Sequence, residues 1–203
     1  SSTGISVQYK YNALNQRVKR IGKDGTTIYA YGRNGALTYQ KNTTSGLERS
    51  YTYMNDILLG WTETTNGAST RYYAVTDNLG SVTQIRDANN KLLWDGEYAP
   101  FGTMTGAVGE KRFDGKDIDP ETGLTYHWNR WRSEDGSYFI SEDPARDGIN
   151  WYAYASENPL KFIDPTGLDD ISITDKDGNP ITEIVTVITR GPDINETGPG
   201  QAE

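Results

Sequence analysis

Cysteine is absent from the 203 residues, so disulfide and thiolate chemistry are excluded. Histidine occurs once, at His127, which leaves no histidine-rich metal site and argues against a Ser-His-Asp triad. Basic charge is scarce: 20 Lys and Arg stand against 28 Asp and Glu, for a net charge of -8. The electrostatic footprint of a nucleic-acid binder is therefore missing. No run approaches the roughly twenty apolar residues of a membrane-spanning helix. Ser1-Ser2-Thr3-Gly4 carries no Met, charged n-region or apolar h-region. The expectation is a fragment internal to a longer polypeptide, in which a missing leader says nothing about export.

What the chain does have is 14 Tyr, 5 Trp and 22 Gly, beside only 34% hydrophobic residues. Tyr and Trp suit a pleated, half-buried surface, and Gly supplies turns with positive φ. This composition predicts an all-β fold.

A unit recurs at roughly twenty residues, opened by paired aromatics: Tyr9 and Tyr11, Tyr29 and Tyr31, Tyr51 and Tyr53, then Tyr72-Tyr73. Residues i and i+2 of a strand share a face, so each pair makes an aromatic step. Turn signals follow each pair: Asn12-Ala13-Leu14-Asn15, Gly32-Arg33-Asn34-Gly35, Asn55-Asp56 and Asp77-Asn78-Leu79-Gly80. Second strands come next, such as Arg17–Ile21 and Ile57–Trp61. One hairpin cannot bury its own face, so the units are expected to stack laterally as antiparallel hairpins in one sheet. An ordinary antiparallel sandwich is the alternative.

The units Tyr11-Asn12-Ala13-Leu14-Asn15-Gln16-Arg17-Val18 and Tyr31-Gly32-Arg33-Asn34-Gly35-Ala36-Leu37 resemble degenerate YD repeats. The following block resembles the Rhs repeat-associated core in motif order. Its segments are Asp77-Asn78-Leu79-Gly80-Ser81, Tyr98-Ala99-Pro100-Phe101-Gly102, Phe113-Asp114-Gly115-Lys116-Asp117, and Glu121-Thr122-Gly123-Leu124-Thr125-Tyr126. Arg130-Trp131-Arg132, Ser137-Tyr138-Phe139-Ile140-Ser141-Glu142-Asp143-Pro144, Asn158-Pro159 and Asp164-Pro165-Thr166-Gly167-Leu168 complete it. This resemblance, to Rhs, Tc-toxin C-component and teneurin-like proteins, implies a spiral β-shell of YD hairpins with an inward-curling C-terminal plug. It divides the chain into repeats at 1–72, core at 73–168 and a variable tail at 169–203.

The same resemblance implies an effector, often a toxin, downstream of the core, and in many members self-cleavage by aspartates of the two Asp-Pro motifs. Those are Asp143 and Asp164 here, with the scissile bond at Leu168–Asp169. Two close carboxylates can share a proton, one as base toward water and the other as acid. Asp164 stands just upstream of the bond, where proximity replaces substrate binding. Arg132 is a candidate partner for the carboxylates. Arg146 occupies a position where the family motif usually has Gly, which raises a question of backbone strain; it could orient a carboxylate, and Asp147 is a rival acid. Without the protease role, each Asp-Pro is a turn.

No cofactor and no metal is expected: Asp175-Lys176-Asp177-Gly178-Asn179 only faintly echoes a calcium loop. The Tyr and Trp ladder is expected to pack rather than to stack on glycans. In the tail, Ile171–Thr174 and Ile181–Ile188 alternate like the strands of a hairpin around Asp177-Gly178, and Gly191–Glu203 has a disordered composition. The expected partners are the chain's own C-terminal effector segment, upstream YD repeats, secretion machinery or surface glycans, with a secreted or cell-surface location. The competing function is a cell-surface adhesion or carbohydrate-binding YD protein without protease activity.

Overall fold

The computed structural model describes residues 6–103, 113–146, 148–174 and 177–179. One antiparallel sheet takes nine strands in sequence order: β1 (Gln8–Tyr11), β2 (Arg17–Gly22), β3 (Gly25–Tyr31), β4 (Leu37–Asn42), β5 (Glu48–Met54), β6 (Ile57–Thr65), β7 (Ala68–Thr76), β8 (Val82–Asp87) and β9 (Leu92–Asp95). Each pairs with its sequence neighbours, so the repeats form stacked hairpins, and the sheet runs unbroken through position 72. A three-stranded sheet follows, β10 (Asp117–Ile118), β11 (Thr125–His127) and β12 (Arg130–Arg132). The pair β13 (Phe162–Ile163) and β14 (Ile171–Ser172) closes the described chain. The all-β expectation holds: among the described residues the only helical pieces are two short 3-10 turns.

The turn chemistry repeats with the sequence. Asn12, Asp77 and Asp87 each accept two backbone amides on one side-chain oxygen, and the amides of Asn15, Gly80 and Asn90 return to their carbonyls. Asn15, Gly35, Gly80 and Asn90 all have positive φ, and β-bulges interrupt the register at the adjoining strand ends. That combination is a three-to-five-residue hairpin ending in a left-handed residue. Asn55-Asp56 instead makes a two-residue turn with both φ positive.

In two of the steps the second tyrosine locks the preceding unit, and Tyr98 repeats the contact further on. The Tyr31 hydroxyl donates to the Arg17 carbonyl at 2.8 Å, Tyr53 to Leu37 at 3.0 Å, and Tyr98 to Val82 at 2.7 Å. Leu58, Trp61, Val82, Ile85 and Trp94 form the apolar core on this face, with Tyr98 reaching a second core of Phe113, Phe139, Tyr154 and Ala155. Burial of each such large side chain contributes about 1.5–3 kcal/mol.

The three-stranded sheet docks back onto the first hairpins. Tyr126 donates its hydroxyl to the Asn15 carbonyl at 2.6 Å and accepts the Arg17 amide at 2.9 Å. The Arg17 guanidinium is enclosed by the rings of Tyr9, Tyr29, Tyr126 and Trp131, and Asp117 lies 3.6 Å away. Arg20 contacts Asp119 at 2.7 Å and Glu121 at 3.1 Å. Gly35 is required at this seam, because a Cβ there would sit 2.2 Å from Trp128. Ile171 and Ser172 pair upstream with Ile163 and Phe162. The second strand expected for the tail hairpin, Ile181–Ile188, lies outside the described residues, as do Asp147, Asp175, Lys176 and Gly191–Glu203.

Candidate functional site

Three segments bring the two Asp-Pro motifs to one guanidinium. Arg130, at the start of β12, donates from Nη2 to Asp164 Oδ2 at 2.9 Å, and its Nη1 lies 3.6 Å from Asp143 Oδ2. Its Nε donates to the Gly167 carbonyl at 2.6 Å, and Nη1 to the Trp151 carbonyl at 3.1 Å. The cation rests 3.8 Å over the Phe139 ring. Arg130, Asp143 and Asp164 are all buried.

Asp164 is built into its own turn. Its Oδ1 accepts the amides of Gly167 at 2.7 Å and Leu168 at 3.1 Å, the geometry that the Asp-Pro-x-Gly-Leu spacing makes possible. Gly167 has φ 75, and a Cβ there would lie 2.5 Å from the His127 carbonyl. Burial pushes the Asp164 carboxyl pKa up, against the pull of Arg130 and the two amides. Asp143 Oδ1 accepts the Ala145 amide at 2.7 Å, and the Asp143 amide donates to the Trp151 carbonyl at 2.9 Å. Leu168 is half-buried and Asp169 is exposed.

His127 supports Asp164 from behind. Its Nδ1 is 2.8 Å from the Asp164 carbonyl, which can only accept, so the proton sits on Nδ1. Burial and the nearby Arg132 charge hold its pKa well below the usual value, so the ring is neutral.

Arg132 is placed elsewhere. Its guanidinium lies 4.3 Å from the Tyr154 ring and 5.1 Å from Phe113, and contact with Asp143 or Asp164 is made by Arg130 instead. Arg146 has φ 55, the left-handed conformation that its family glycine would adopt freely. Its exposed side chain reaches Glu142 at 3.9 Å and the Trp151 ring, not the buried carboxylates.

A second buried acid adjoins this site. Asp114 accepts from the Tyr154 hydroxyl at 3.4 Å, and its amide donates to Ser81 Oγ at 3.0 Å. Burial raises its pKa to about 6, against Lys116 and Arg132. An unfolded Asp releases its proton near pH 4, so between there and pH 6 the folded chain binds the extra proton. The associated stability is fully present below pH 4 and is lost as pH rises through 6. Asp114→Asn should abolish this slope, about 2 kcal/mol between urea midpoints read at pH 4.5 and 7.5. Asn also tolerates the left-handed φ of 55 at this position.

The repeats, core and Asp-Arg-Asp geometry can be set against known proteins. The chain is 32% identical over 174 residues to the tRNA3(Ser)-specific nuclease WapA of Bacillus spizizenii, covering 78% of this chain and 7% of that protein. It is 28% identical over 163 residues to the double-stranded DNA deaminase toxin A of Burkholderia cenocepacia, covering 74% and 11%. The crystal structure of TcdB2-TccC3 superposes with a TM-score of 0.65 at 21% identity, over 83% of this chain and 10% of that one. The chain belongs to the Rhs-type YD-repeat family. No family model matches it. This Rhs-type segment spans only about a tenth of the length of these three relatives, or less.

Proposed function

We propose that this chain is the C-terminal part of an exported shell that encloses an effector and frees it by aspartyl self-cleavage between Leu168 and Asp169. The observation that carries the reading is the clamp of Arg130 on both Asp143 and Asp164, against the backbone of Gly167 and Leu168. The two relatives above are named for a nuclease and a deaminase, yet share this segment. Such sharing suits a common carrier for different effectors, not an effector itself.

In this mechanism Asp143 takes a proton from water as its oxygen attacks the Leu168 carbonyl carbon. Asp164, whose burial favours the protonated form, supplies a proton as the tetrahedral centre collapses. The Leu168–Asp169 C–N bond breaks, leaving a carboxylate on Leu168 and an amine on Asp169. Arg130 balances the charge of Asp143 before the step and of Asp164 once it has given up its proton, and neutral His127 holds the Asp164 backbone through its carbonyl.

The test is intact mass of the purified chain over time, beside Asp143→Asn and Asp164→Asn. A break after Leu168 in the wild type, reduced at least about 100-fold in both variants, is the expected result. A folded wild-type chain that stays whole overturns self-processing in this chain and favours the structural or adhesion role.

A further inference from the structure

The chain is anchored on both sides of the candidate scissile bond. Upstream, Asp164 holds the amides of Gly167 and Leu168, and Arg130 holds the Gly167 carbonyl. Downstream, the Ser156 hydroxyl donates to Asp170 Oδ2 at 2.6 Å. Ile171 and Ser172 pair with Ile163 and Phe162, and the Ile173 amide donates to the Lys161 carbonyl at 2.8 Å. Ile173 is buried, whereas Ile171 faces out. Exposed Asp169 alone separates the two sets of anchors.

The downstream anchor is a built one. Ser156 is presented by Ala155-Ser156-Glu157, three consecutive non-glycine residues with φ 52, 48 and 60. Left-handed conformations are unfavourable for such residues and persist only where the surroundings impose them. Here the Glu157 amide donates to the Tyr154 carbonyl, the Asn158 amide to Ala155, and Asn150 Nδ2 to Glu157 Oε1. The amides of Lys161 and Phe162 return to the Asn158 carbonyl, which sets the strand edge beside Ser156.

From this we infer that Ser156 and the strand edge Lys161–Ile163 form a docking subsite for the leaving side of the cut. It takes an extended segment by strand addition, with an acid at the second position after the bond and an apolar residue at the fifth. Those positions are Asp170 and Ile173. Two fixed flanks restrict the peptide unit between them, and such restriction converts into rate. The subsite therefore decides which downstream sequences are released. The inference rests on the self-processing reading.

The rate of the break after Leu168 should fall about tenfold or more in Ile173→Asp and in Asp170→Lys. Ile173→Val should restore most of the rate lost in Ile173→Asp. Replacing residues 174–203 with an unrelated polar sequence should leave the rate as it was. Equal rates in the wild type, Ile173→Asp and Asp170→Lys overturn the subsite while leaving self-cleavage intact. An uncut wild-type chain overturns the self-processing reading, and with it the subsite as a determinant of release. Amide hydrogen exchange at Ile173 in uncut Asp164→Asn should show protection that Ile173→Asp loses. Absence of that protection overturns the docking itself.

Discussion

Replacing Arg130 with Leu is expected to cost about 3–5 kcal/mol of folding stability and to stop the proposed break after Leu168. The guanidinium is the only described cation in contact with either buried carboxylate, and it also ties the Gly167 and Trp151 carbonyls together. Its removal leaves the Asp143–Asp164 pair buried with an uncompensated charge or forces full protonation of both. A double-mutant cycle with Asp164→Asn, read by urea unfolding, separates the terms. The double variant should be less destabilised than the sum of the singles, because the amide no longer needs a cation. A change below about 1 kcal/mol for Arg130→Leu would mean that the clamp does not hold the turn.

The second large effect is expected at the seam between core and repeats. Arg20 is almost wholly buried and meets Asp119, itself fully buried, at 2.7 Å, and Glu121 at 3.1 Å. Asp119 also accepts the amides of Glu121 and Thr122. Burial alone would raise the Asp119 pKa, but Arg20 and the Glu121 amide bring it below the usual value. Arg20→Met strands that carboxylate and should cost about 3–5 kcal/mol. Undocking should also expose Trp131, which packs 4.6 Å from Tyr9, and shift its fluorescence to the red before the nine-stranded sheet melts. A single transition at the wild-type midpoint would refute the seam as the weak joint. Because the Asp119 pKa is depressed, its contribution is present above about pH 4 and fades as pH falls below it.

The hairpins were legible because turn chemistry is local. Asn12, Asp77 and the Asn55-Asp56 pair announce their conformations within four residues, and sheet order follows from short connections. The aspartates were legible through the family motifs. The cation between them was not: Arg130 and Arg132 stand two apart on one strand, so alternation assigns them the same face. What separates them is packing, Arg130 over Phe139 and Arg132 over Tyr154, set by chain that returns from far away. Asp117, Asp119 and Glu121, an acid at every second position running from β10 into a turn, were the available signal for basic partners such as Arg17 and Arg20. Ile171 pairs with Ile163 eight residues upstream, whereas alternation alone favoured the next downstream strand.

The tyrosine hydroxyls that reach back to Arg17, Leu37 and Val82 point in one direction along the chain. Each bond is made by a later residue to an earlier peptide carbonyl, so each of these three units is secured only once its successor has arrived. A chain that emerges from the ribosome or crosses a membrane with its N-terminus leading would thus fold as a ratchet, every new unit fixing the one before it. The acceptor is a peptide oxygen, which every residue type supplies. Neighbouring units are therefore free to diverge in side chains, and whole units can be gained or lost, without breaking the order of assembly.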